Sequence, residues 1–263
     1  MAHDLPFVFE SGPSAAEHFE ANGWVLTEPL GSGGIDNEQV RELRSWIDEI
    51  EAWDDSGEWL HYRESTMHGP RLCRTENFVP FHPGLGSFLT RGAILDTASV
   101  LLREPAVLYK EKINYKAAGG AGYAPHQDAP AYRFIETHAS CMIAIDDALL
   151  SNGCLEVVSG AHREILPMND VGCISDDVVE SFEWTAVEVL AGQALWFHSR
   201  TPHRSGPNTS DTPRRALYPT YNAAVEGDLR SQYYRQKLAE FAESESESPR
   251  VSLIGDFQGA IIT

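Results

Sequence analysis

Two histidines and one aspartate have the types and the spacing of a metal-binding group. His126 and Asp128 lie two residues apart in the run Ala-Pro-His-Gln-Asp-Ala, and His203 follows in Thr-Pro-His-Arg-Ser-Gly-Pro-Asn. Two imidazoles and one carboxylate can bind iron(II) on one face and leave three coordination positions open for other molecules. If the three side chains meet in the fold, the chain carries the donors of an oxygen-activating metal centre.

The local context of His126 and Asp128 distinguishes this pair from other histidine-x-acid pairs in the chain. On an extended segment residues i and i+2 point to the same side, whereas on a helix they point apart. Glycines and a proline exclude a helix before His126, whereas the pair that begins at His18 lies in helix-like sequence. His198 competes with His203 as the third ligand, and we favour His203 because a turn and an arginine follow it.

The arginine that follows His203 suits the distant carboxylate of a 2-oxo acid. Arg214 enters a predicted strand, and the fixed fork of a guanidinium group matches a carboxylate. Arg215 is adjacent, and because strand side chains alternate, only one of the two can face inward. We predict that Arg214 faces inward and binds the distant carboxylate of such a co-substrate.

The sequence before residue 106 reads mainly as helix. Apolar residues recur at spacings of three and four over 40–53, with Asp36 as a predicted N-cap. A second helix is predicted over 85–102. The segment 54–83 is rich in glycine, proline, histidine and arginine, and we predict a long loop there.

A β region follows the helices. Short β-branched or aromatic runs, separated by turn residues, occupy 107–221, a pattern typical of a jelly roll, and a last helix is predicted over 228–241. We expect an acidic loop at 243–249 and an apolar tail that packs on the domain or on a second subunit. The predicted organisation is one domain, 1–263, with mostly helical support in 1–105, a jelly-roll core in 106–224, and a helix and tail in 225–263.

Composition argues against several classes of partner. The chain has 263 residues, of which 42% are hydrophobic, so it can bury a sizeable core. A formal charge of −19 repels phosphate backbones and argues against nucleic-acid binding. The four cysteines form no C-x-x-C pair, which fits a reduced, cytoplasmic protein. We predict no signal peptide and no membrane span, and we expect a monomer or a homodimer.

Taken in order, the motifs resemble those of the phytanoyl-CoA dioxygenase family of Fe(II)/2-oxoglutarate oxygenases. The matching segments are Phe19 to Val25, His126-Gln127-Asp128, Asn152-Gly153-Cys154-Leu155, Ser159-Gly160-Ala161-His162, His203 to Asn208, and Pro213-Arg214. The resemblance implies a mainly β fold with flanking helices around a double-stranded β-helix, or cupin-like, core. It also implies that His126, Asp128 and His203 hold Fe(II), that 2-oxoglutarate and O2 are consumed, and that succinate and CO2 are released. Because Asp128 is present, the resemblance implies hydroxylation rather than halogenation.

The resemblance suggests further contacts to the co-substrate. Lys110 and Asn114 alternate on a strand that resembles the strand of ectoine hydroxylase that touches 2-oxoglutarate. Tyr123 lies three residues before His126, where relatives place an aromatic residue. For the lysines of this strand, an exposed strand edge is the alternative interpretation.

The substrate is predicted from polar and aromatic residues near the motifs. The candidate substrate contacts are Arg74, Glu76, Asn77, Tyr132 and Trp196. Their polarity favours a small zwitterionic or phosphonate-like metabolite, as for ectoine hydroxylase and the 2-aminoethylphosphonate hydroxylases of the family. Residues 168–184 form either a lid or a surface insertion. Two other functions stay open: a cupin-type protein that binds Mn(II) or Zn(II) without 2-oxoglutarate, and a non-catalytic sensing module.

Overall fold

The computed structural model describes residues 8–30, 37–66, 69–132, 134–170 and 172–242. Within these ranges the helices are α1 Pro13–Asn22, α2 Glu38–Glu51, α3 Pro83–Thr90, α4 Gly92–Leu102, α5 Asp176–Glu180 and α6 Arg230–Ala242. The strands are β1 Val8–Phe9, β2 Trp24–Thr27, β3 Leu60–Thr66, β4 Gly69–Glu76, β5 Ala106–Lys116, β6 Tyr123–His126, β7 His138–Ala144, β8 Leu155–Val157, β9 Thr185–Val187, β10 Ala194–His198, β11 His203–Ser205 and β12 Arg214–Ala223.

Two sheets pack face to face and form the predicted jelly roll. The larger sheet has the order β1-β2-β10-β7-β12-β5-β4-β3, and the smaller has the order β6-β11-β8-β9. Apart from the parallel pair β1–β2, the paired strands are antiparallel. Met142 and Leu195 of the larger sheet pack with Leu155 and Val157 of the smaller one in a buried apolar cluster. The space between the sheets is therefore the interior of the β-helix.

The outer face of the larger sheet is covered by helices. The main apolar cluster joins residues of α1 to α4 with outward side chains of the sheet, such as Ile113 and Trp196. In α2 the predicted apolar stripe is buried, and the N-cap is Asn37, whose side chain accepts a hydrogen bond from the Gln39 amide at 2.8 Å. Asp36, the N-cap predicted from sequence, lies outside the described residues.

The helix predicted over 85–102 is two helices. Arg91 adopts extended backbone angles and Gly92 has a φ of 65°, so α3 ends before the chain turns into α4. Contrary to the sequence expectation, Pro83–Leu102 does reach the length and apolar composition of a membrane span. Its apolar side chains, among them Leu89 and Ile94, instead lie in the core against the larger sheet.

The prediction of a long loop at 54–83 was wrong, because this segment contains the hairpin β3–β4. β4 also pairs with β5, with Arg74 opposite Asn114 and Glu76 opposite Lys112. The strand alternation is present, but side chains on the inward face are charged rather than apolar. A period-two apolar pattern therefore does not mark these strands.

The predicted C-terminal helix is α6, which packs against the part of β5 that β4 does not reach. The Tyr234 hydroxyl receives a hydrogen bond from the Glu111 amide at 3.0 Å and donates one to the Glu111 carbonyl at 2.8 Å. The Tyr234 side chain thus provides hydrogen-bond partners for the amide and the carbonyl of Glu111, which would otherwise be buried without partners. The predicted acidic loop at 243–249 and the apolar tail lie outside the described residues.

Candidate metal centre

Two neighbouring strands bring His126 and His203 together. β6 pairs antiparallel with β11, the two histidines are direct partners in the register, and their ring centroids are 4.1 Å apart. Asp128 follows the end of β6, and its Oδ1 lies 3.8 Å from His126 Nε2. One ligand atom from each of the three residues lies within 4.8 Å of the others. The predicted donor set therefore converges, and its two imidazoles and one carboxylate fit Fe(II).

Both histidines are oriented by backbone carbonyls of their own segment. His126 Nδ1 donates to the Ala124 carbonyl at 2.7 Å, and His203 Nδ1 donates to the Thr201 carbonyl at 3.0 Å. A carbonyl oxygen only accepts, so in each ring the proton lies on Nδ1 and Nε2 keeps its lone pair for a metal. These acceptors are the outer support that sequence alone did not identify.

Asp128 is held by hydroxyl groups from two other elements. Its Oδ2 accepts hydrogen bonds from the Tyr132 hydroxyl at 3.0 Å and from Ser140 Oγ at 3.2 Å, and Thr220 lies within 3.2 Å of both hydroxyls. Oδ1 is left for the metal. Tyr132, predicted as a substrate contact, thus lies behind the carboxylate, where its hydroxyl orients Asp128.

The protonation states of the ligands favour cation binding. Burial, and then the neighbouring His126, lower the pKa of His203 to about 4. Burial acts to raise the pKa of Asp128, but His203, Lys112 and Lys110 outweigh it and hold this pKa far below its usual value. At neutral pH the site presents a neutral imidazole and a carboxylate, the forms that ligate metals.

His198, the alternative third ligand, lies in a different cluster. Its Nδ1 accepts a hydrogen bond from the Arg200 amide at 3.0 Å, and its ring centroid is 5.9 Å from that of His138 and 5.6 Å from that of His162. It is not among the residues that converge on the metal position. The geometry therefore favours His203 over His198.

Arg214 faces the interior and Arg215 faces the helices, as strand alternation predicted. Arg215 pairs with Asp146 and Asp48 on the outer face. Arg214 is 1% exposed and donates to the Gly153 carbonyl at 2.8 Å, while its Nε has no hydrogen-bond partner among the described residues. An unsatisfied donor on a fully buried guanidinium group indicates a place for an acceptor.

Lys116 forms a second buried cation beside Arg214. Its Nζ donates to Ser205 Oγ at 2.9 Å and to the Gly206 carbonyl at 2.6 Å, and Gly153, whose carbonyl Arg214 also uses, lies 3.5 Å away. Burial, and then Arg214, lower the pKa of Lys116 to about 7. Neither cation forms a salt bridge with a carboxylate in the described part of the chain, so the pair fits the distant carboxylate of 2-oxoglutarate.

Of the other predicted co-substrate residues, Lys110 and Asn114 lie on the inward surface of the larger sheet, and Tyr123 lies on β6 of the smaller sheet. Lys110 and Asn114 stand opposite Thr220 and Ala216 of β12, so they share the face that carries Arg214. Lys110 Nζ lies 4.4 Å from the Tyr132 ring centroid and forms no hydrogen bond or ion pair with the described residues. The Tyr123 ring lies 5.6 Å from Lys116 Nζ, and Asn114 Oδ1 accepts from Arg74 Nε at 3.3 Å.

The predicted substrate residues divide into two groups. Arg74 and Glu76 lie on the interior surface beside Lys110. Trp196 does not, because it is fully buried on the opposite face of β10, where its indole donates to Thr27 Oγ1 at 2.9 Å. Asn77 has a φ of 60° and forms hydrogen bonds with the Glu58 carbonyl and with Arg230. These contacts indicate a structural role for Asn77 rather than a contact with the substrate.

Two lysines at the site were missed or undervalued from sequence. Lys116 was grouped with edge lysines, although it shares the period of two with Lys110 and Asn114 on β5. Lys237 of α6 was not considered, and it contacts Glu76 at 2.6 Å. Its signal is weak: Tyr233 and Lys237 are four residues apart and so lie on one helix face.

Comparisons with known proteins agree with this geometry. The family model for phytanoyl-CoA dioxygenase (PhyH) matches residues 19–216. A methylphosphonate hydroxylase of Gimesia maris is 47% identical over 226 residues, which are 84% of this chain and 87% of the relative. A 2-aminoethylphosphonate dioxygenase of an uncultured bacterium, HF130_AEPn_1, is 37% identical over 226 residues, with 84% and 85% covered.

Solved structures share the fold at low sequence identity. EctD from S. alaskensis with bound Fe has a TM-score of 0.69 at 18% identity, over 86% of this chain and 80% of that chain. The non-heme alpha ketoglutarate dependent epimerase SnoN has a TM-score of 0.67 at 22% identity, over 80% and 82%. The cupin-like fold predicted from sequence is thus confirmed. With the family model and the curated relatives it matches, this chain belongs to the phytanoyl-CoA dioxygenase (PhyH) family and is an Fe(II)/2-oxoglutarate-dependent oxygenase.

Proposed function

We propose that this oxygenase hydroxylates a C–H bond of a small phosphonate, with methylphosphonate as the leading candidate. The observation that carries the proposal is a surplus of buried positive charge between the sheets. Arg74, Lys110, Lys116 and Arg214 are at most 8% exposed. Lys112 and Lys237 are partly buried beside them.

Lys110, Lys116 and Arg214 form no salt bridge with a carboxylate in the described part of the chain. Glu76 and the metal ligand Asp128 face them, and Glu64 lies near Lys116 with a pKa that burial raises toward the neutral form. Buried charges are unfavourable unless they are paired. This surplus of buried cations favours the binding of anionic ligands. It contrasts with the net charge of −19 of the whole chain.

Two dianions account for the surplus. The co-substrate 2-oxoglutarate would place its distant carboxylate between Arg214 and Lys116, and its other end at the metal. A phosphonate would occupy the Lys110 end, where Lys110 and Lys112 interact with Asp128. Burial acts to lower the pKa of Lys110, but Tyr132, Tyr233 and the Asp128 carboxylate raise it overall, so Lys110 stays cationic.

The relatives support the same class of substrate. The proteins at 47% and 37% identity are named for methylphosphonate and 2-aminoethylphosphonate. When bound, Fe(II) with 2-oxoglutarate and O2 supplies the oxidation, and succinate and CO2 are released. The chain's own residues orient the ligands, hold both dianions and keep the reacting carbon in a space shielded from water. The four cysteines are free and buried, which fits the reducing cytoplasm that we propose as its compartment.

The test is a coupled-turnover assay. The Fe(II)-loaded protein is mixed with 2-oxoglutarate and O2, and succinate is measured with methylphosphonate, 2-aminoethylphosphonate, ectoine or an acyl-CoA. We expect phosphonate-dependent succinate, matched mole for mole by a hydroxylated phosphonate in the phosphorus NMR spectrum. Stimulation by ectoine or an acyl-CoA, with none by either phosphonate, would overturn the proposal.

A further inference from the structure

The Glu76 carboxylate is occupied by cations on both oxygens. Oε2 accepts a hydrogen bond from Lys237 Nζ at 2.6 Å, and Oε1 lies 3.6 Å from a terminal nitrogen of Arg74. The Glu76 side chain is 2% exposed. Burial acts to raise its pKa, but Lys237, Arg74 and Lys110 together lower it, so the carboxylate is ionised and fully engaged.

Lys237 reaches this carboxylate from α6 and is held in place by aromatic rings. Its Nζ lies 5.5 Å from the Tyr62 ring centroid and 5.6 Å from that of Tyr233, whose hydroxyl accepts from it at 3.3 Å. The Lys237 side chain is 20% exposed, so it stands at the outer edge of the cluster. Substitution of Lys237 therefore removes a counter-ion of Glu76 without touching the metal ligands.

Glu76 lies close enough to the proposed phosphonate position at Lys110 to interact with a charged substrate there. Lys110 Nζ lies 4.4 Å from the ring centroid of Tyr132, whose hydroxyl donates to Asp128, and 6.0 Å from that of Tyr233, whose hydroxyl accepts from Lys237. Lys110 therefore lies near both the metal position and the ion pair of Lys237 with Glu76. In 2-aminoethylphosphonate the phosphonate and the carbon that bears the ammonium group are both attached to the reacting carbon. With that carbon toward the metal and the phosphonate at Lys110, the ammonium group must find its counter-charge among the residues around Lys110.

No other ionised carboxylate is open to an ammonium group at this end of the interior, within the part of the chain that the structure describes. Asp128 is a metal ligand, and Glu111 points to the outer side, where it pairs with Arg230. A substrate ammonium group would therefore have to displace Lys237 or Arg74 from Glu76. It would otherwise lie among cations without a counter-ion, which is strongly unfavourable.

We propose that Lys237 is a specificity-determining residue: by occupying Glu76, it selects phosphonates that lack an ammonium group over aminophosphonates. This inference rests on the proposed function. According to this inference, the ion pair of Lys237 with Glu76 determines which of two substrates with the same phosphonate group is preferred.

The test compares kcat/KM for methylphosphonate and 2-aminoethylphosphonate in the wild type, in Lys237→Met and in Lys237→Arg. We expect the wild type to prefer methylphosphonate. Lys237→Met should shift the ratio toward the aminophosphonate by about tenfold or more, since it frees a charged hydrogen-bond acceptor. Lys237→Arg keeps the cation and should retain the wild-type preference. The shift should appear in KM rather than in kcat, and in the affinity measured by anaerobic calorimetry.

A double variant links the effect to Glu76. Adding Glu76→Gln to Lys237→Met should abolish the gain toward the aminophosphonate, because the freed carboxylate is gone. A wild type that prefers the aminophosphonate, an unchanged ratio in Lys237→Met, or a gain that survives Glu76→Gln would each overturn the inference while leaving phosphonate hydroxylation intact. A wild type that couples succinate release to neither phosphonate would overturn the proposed function, and this inference with it.

Discussion

His126 and His203 each carry their orienting hydrogen bond within their own strand segment. In both cases the acceptor is the carbonyl two residues earlier, at Ala124 and at Thr201. The ring position therefore depends on local backbone geometry rather than on a distant side chain. Asp128 differs, because its second oxygen depends on hydroxyl groups of the Tyr132 turn and of β7.

Removal of one ligand should abolish the metal site. In His126→Ala we expect the affinity for Fe(II) to fall by more than the ~10–100-fold typical of losing an outer-shell partner, and O2 uptake with 2-oxoglutarate to be lost. Bound iron per chain, measured after reconstitution, checks this. His198→Ala is the matched control and should keep its iron, since His198 lies in another cluster. Equal iron content in His126→Ala and the wild type would remove His126 from the ligand set.

Lys116 should make the binding of 2-oxoglutarate dependent on pH. Its pKa is lowered to about 7, so the ammonium group is charged below this value and loses its proton as the pH rises through it. The dianion is attracted only by the charged form. We expect the dissociation constant of 2-oxoglutarate to increase above pH 7, by at most about tenfold per pH unit.

Calorimetry from pH 6 to 9 measures this dependence. Lys116→Arg stays charged over the whole range and should flatten the profile. If Lys116→Arg shows the same slope as the wild type, the titrating group is a different one.

At the scale of the strand, the alternation of β12 places Arg214 in the interior and Arg215 on the outer face, so the two adjacent arginines should have different roles. Arg214→Met should raise the dissociation constant of 2-oxoglutarate at least about thirtyfold, from the ~2–5 kcal/mol lost when one partner of a buried charge pair is removed. Arg215→Met should leave that constant nearly unchanged but lower the free energy of unfolding by about 1–3 kcal/mol, because Asp146 loses a charged partner. Thermal melts and 2-oxoglutarate titrations of both variants distinguish the two effects. If Arg215→Met weakened the binding of 2-oxoglutarate and Arg214→Met only lowered the stability, Arg215 rather than Arg214 would face the interior.

The sequence predicted β5 and β12 because each strand keeps apolar residues on its outward face, such as Ile113 and Leu217, although the inward face of β5 is charged. The runs 107–115 and 216–221 were predicted as strands, and β5 and β12 extend them by one or two residues at each end. The ligand triad was found because the local context of His126 and Asp128 is extended. The β3–β4 hairpin was missed because Arg74 and Glu76 point into the site and break the apolar alternation. The partnership of Lys237 with Glu76 joins residues far apart in the chain, and no local pattern indicates it.

Helix α6 shows the same limit at the level of packing. Its presence was predicted from helical composition, but its position depends on where β4 ends and leaves the β5 backbone uncovered. Tyr234 fills that edge, and Tyr233 and Lys237 then face the interior. Such placement follows from the sheet as a whole, which a single stretch of sequence does not contain.

The whole molecule carries opposite charges inside and outside. The net charge is −19, yet the space between the sheets has a surplus of cations. The phosphonate that we propose as substrate would therefore approach through a field of its own sign before it reaches Lys110. This arrangement is the reverse of electrostatic steering.

Salt should consequently speed the encounter. Raising the ionic strength from about 10 mM to about 150 mM shortens the Debye length from ~30 Å to ~8 Å. We expect kcat/KM for methylphosphonate to rise over this range, whereas an uncharged solute at equal osmolality should have no such effect. A steady decrease of kcat/KM with salt would show that the interior cations, rather than the acidic exterior, dominate the long-range field.

The buried pair of Lys116 and Arg214 also links the lifetime of the protein to its co-substrate. Two like charges held together without a counter-ion weaken the folded state, and in the binding mode proposed above the distant carboxylate of 2-oxoglutarate would relieve that repulsion. At a hundred times its dissociation constant, such a ligand adds about 2.7 kcal/mol to the free energy of unfolding. Proteases that cleave the transiently opened chain should therefore degrade it more slowly when carbon metabolism keeps 2-oxoglutarate abundant, and remove it faster when that supply falls.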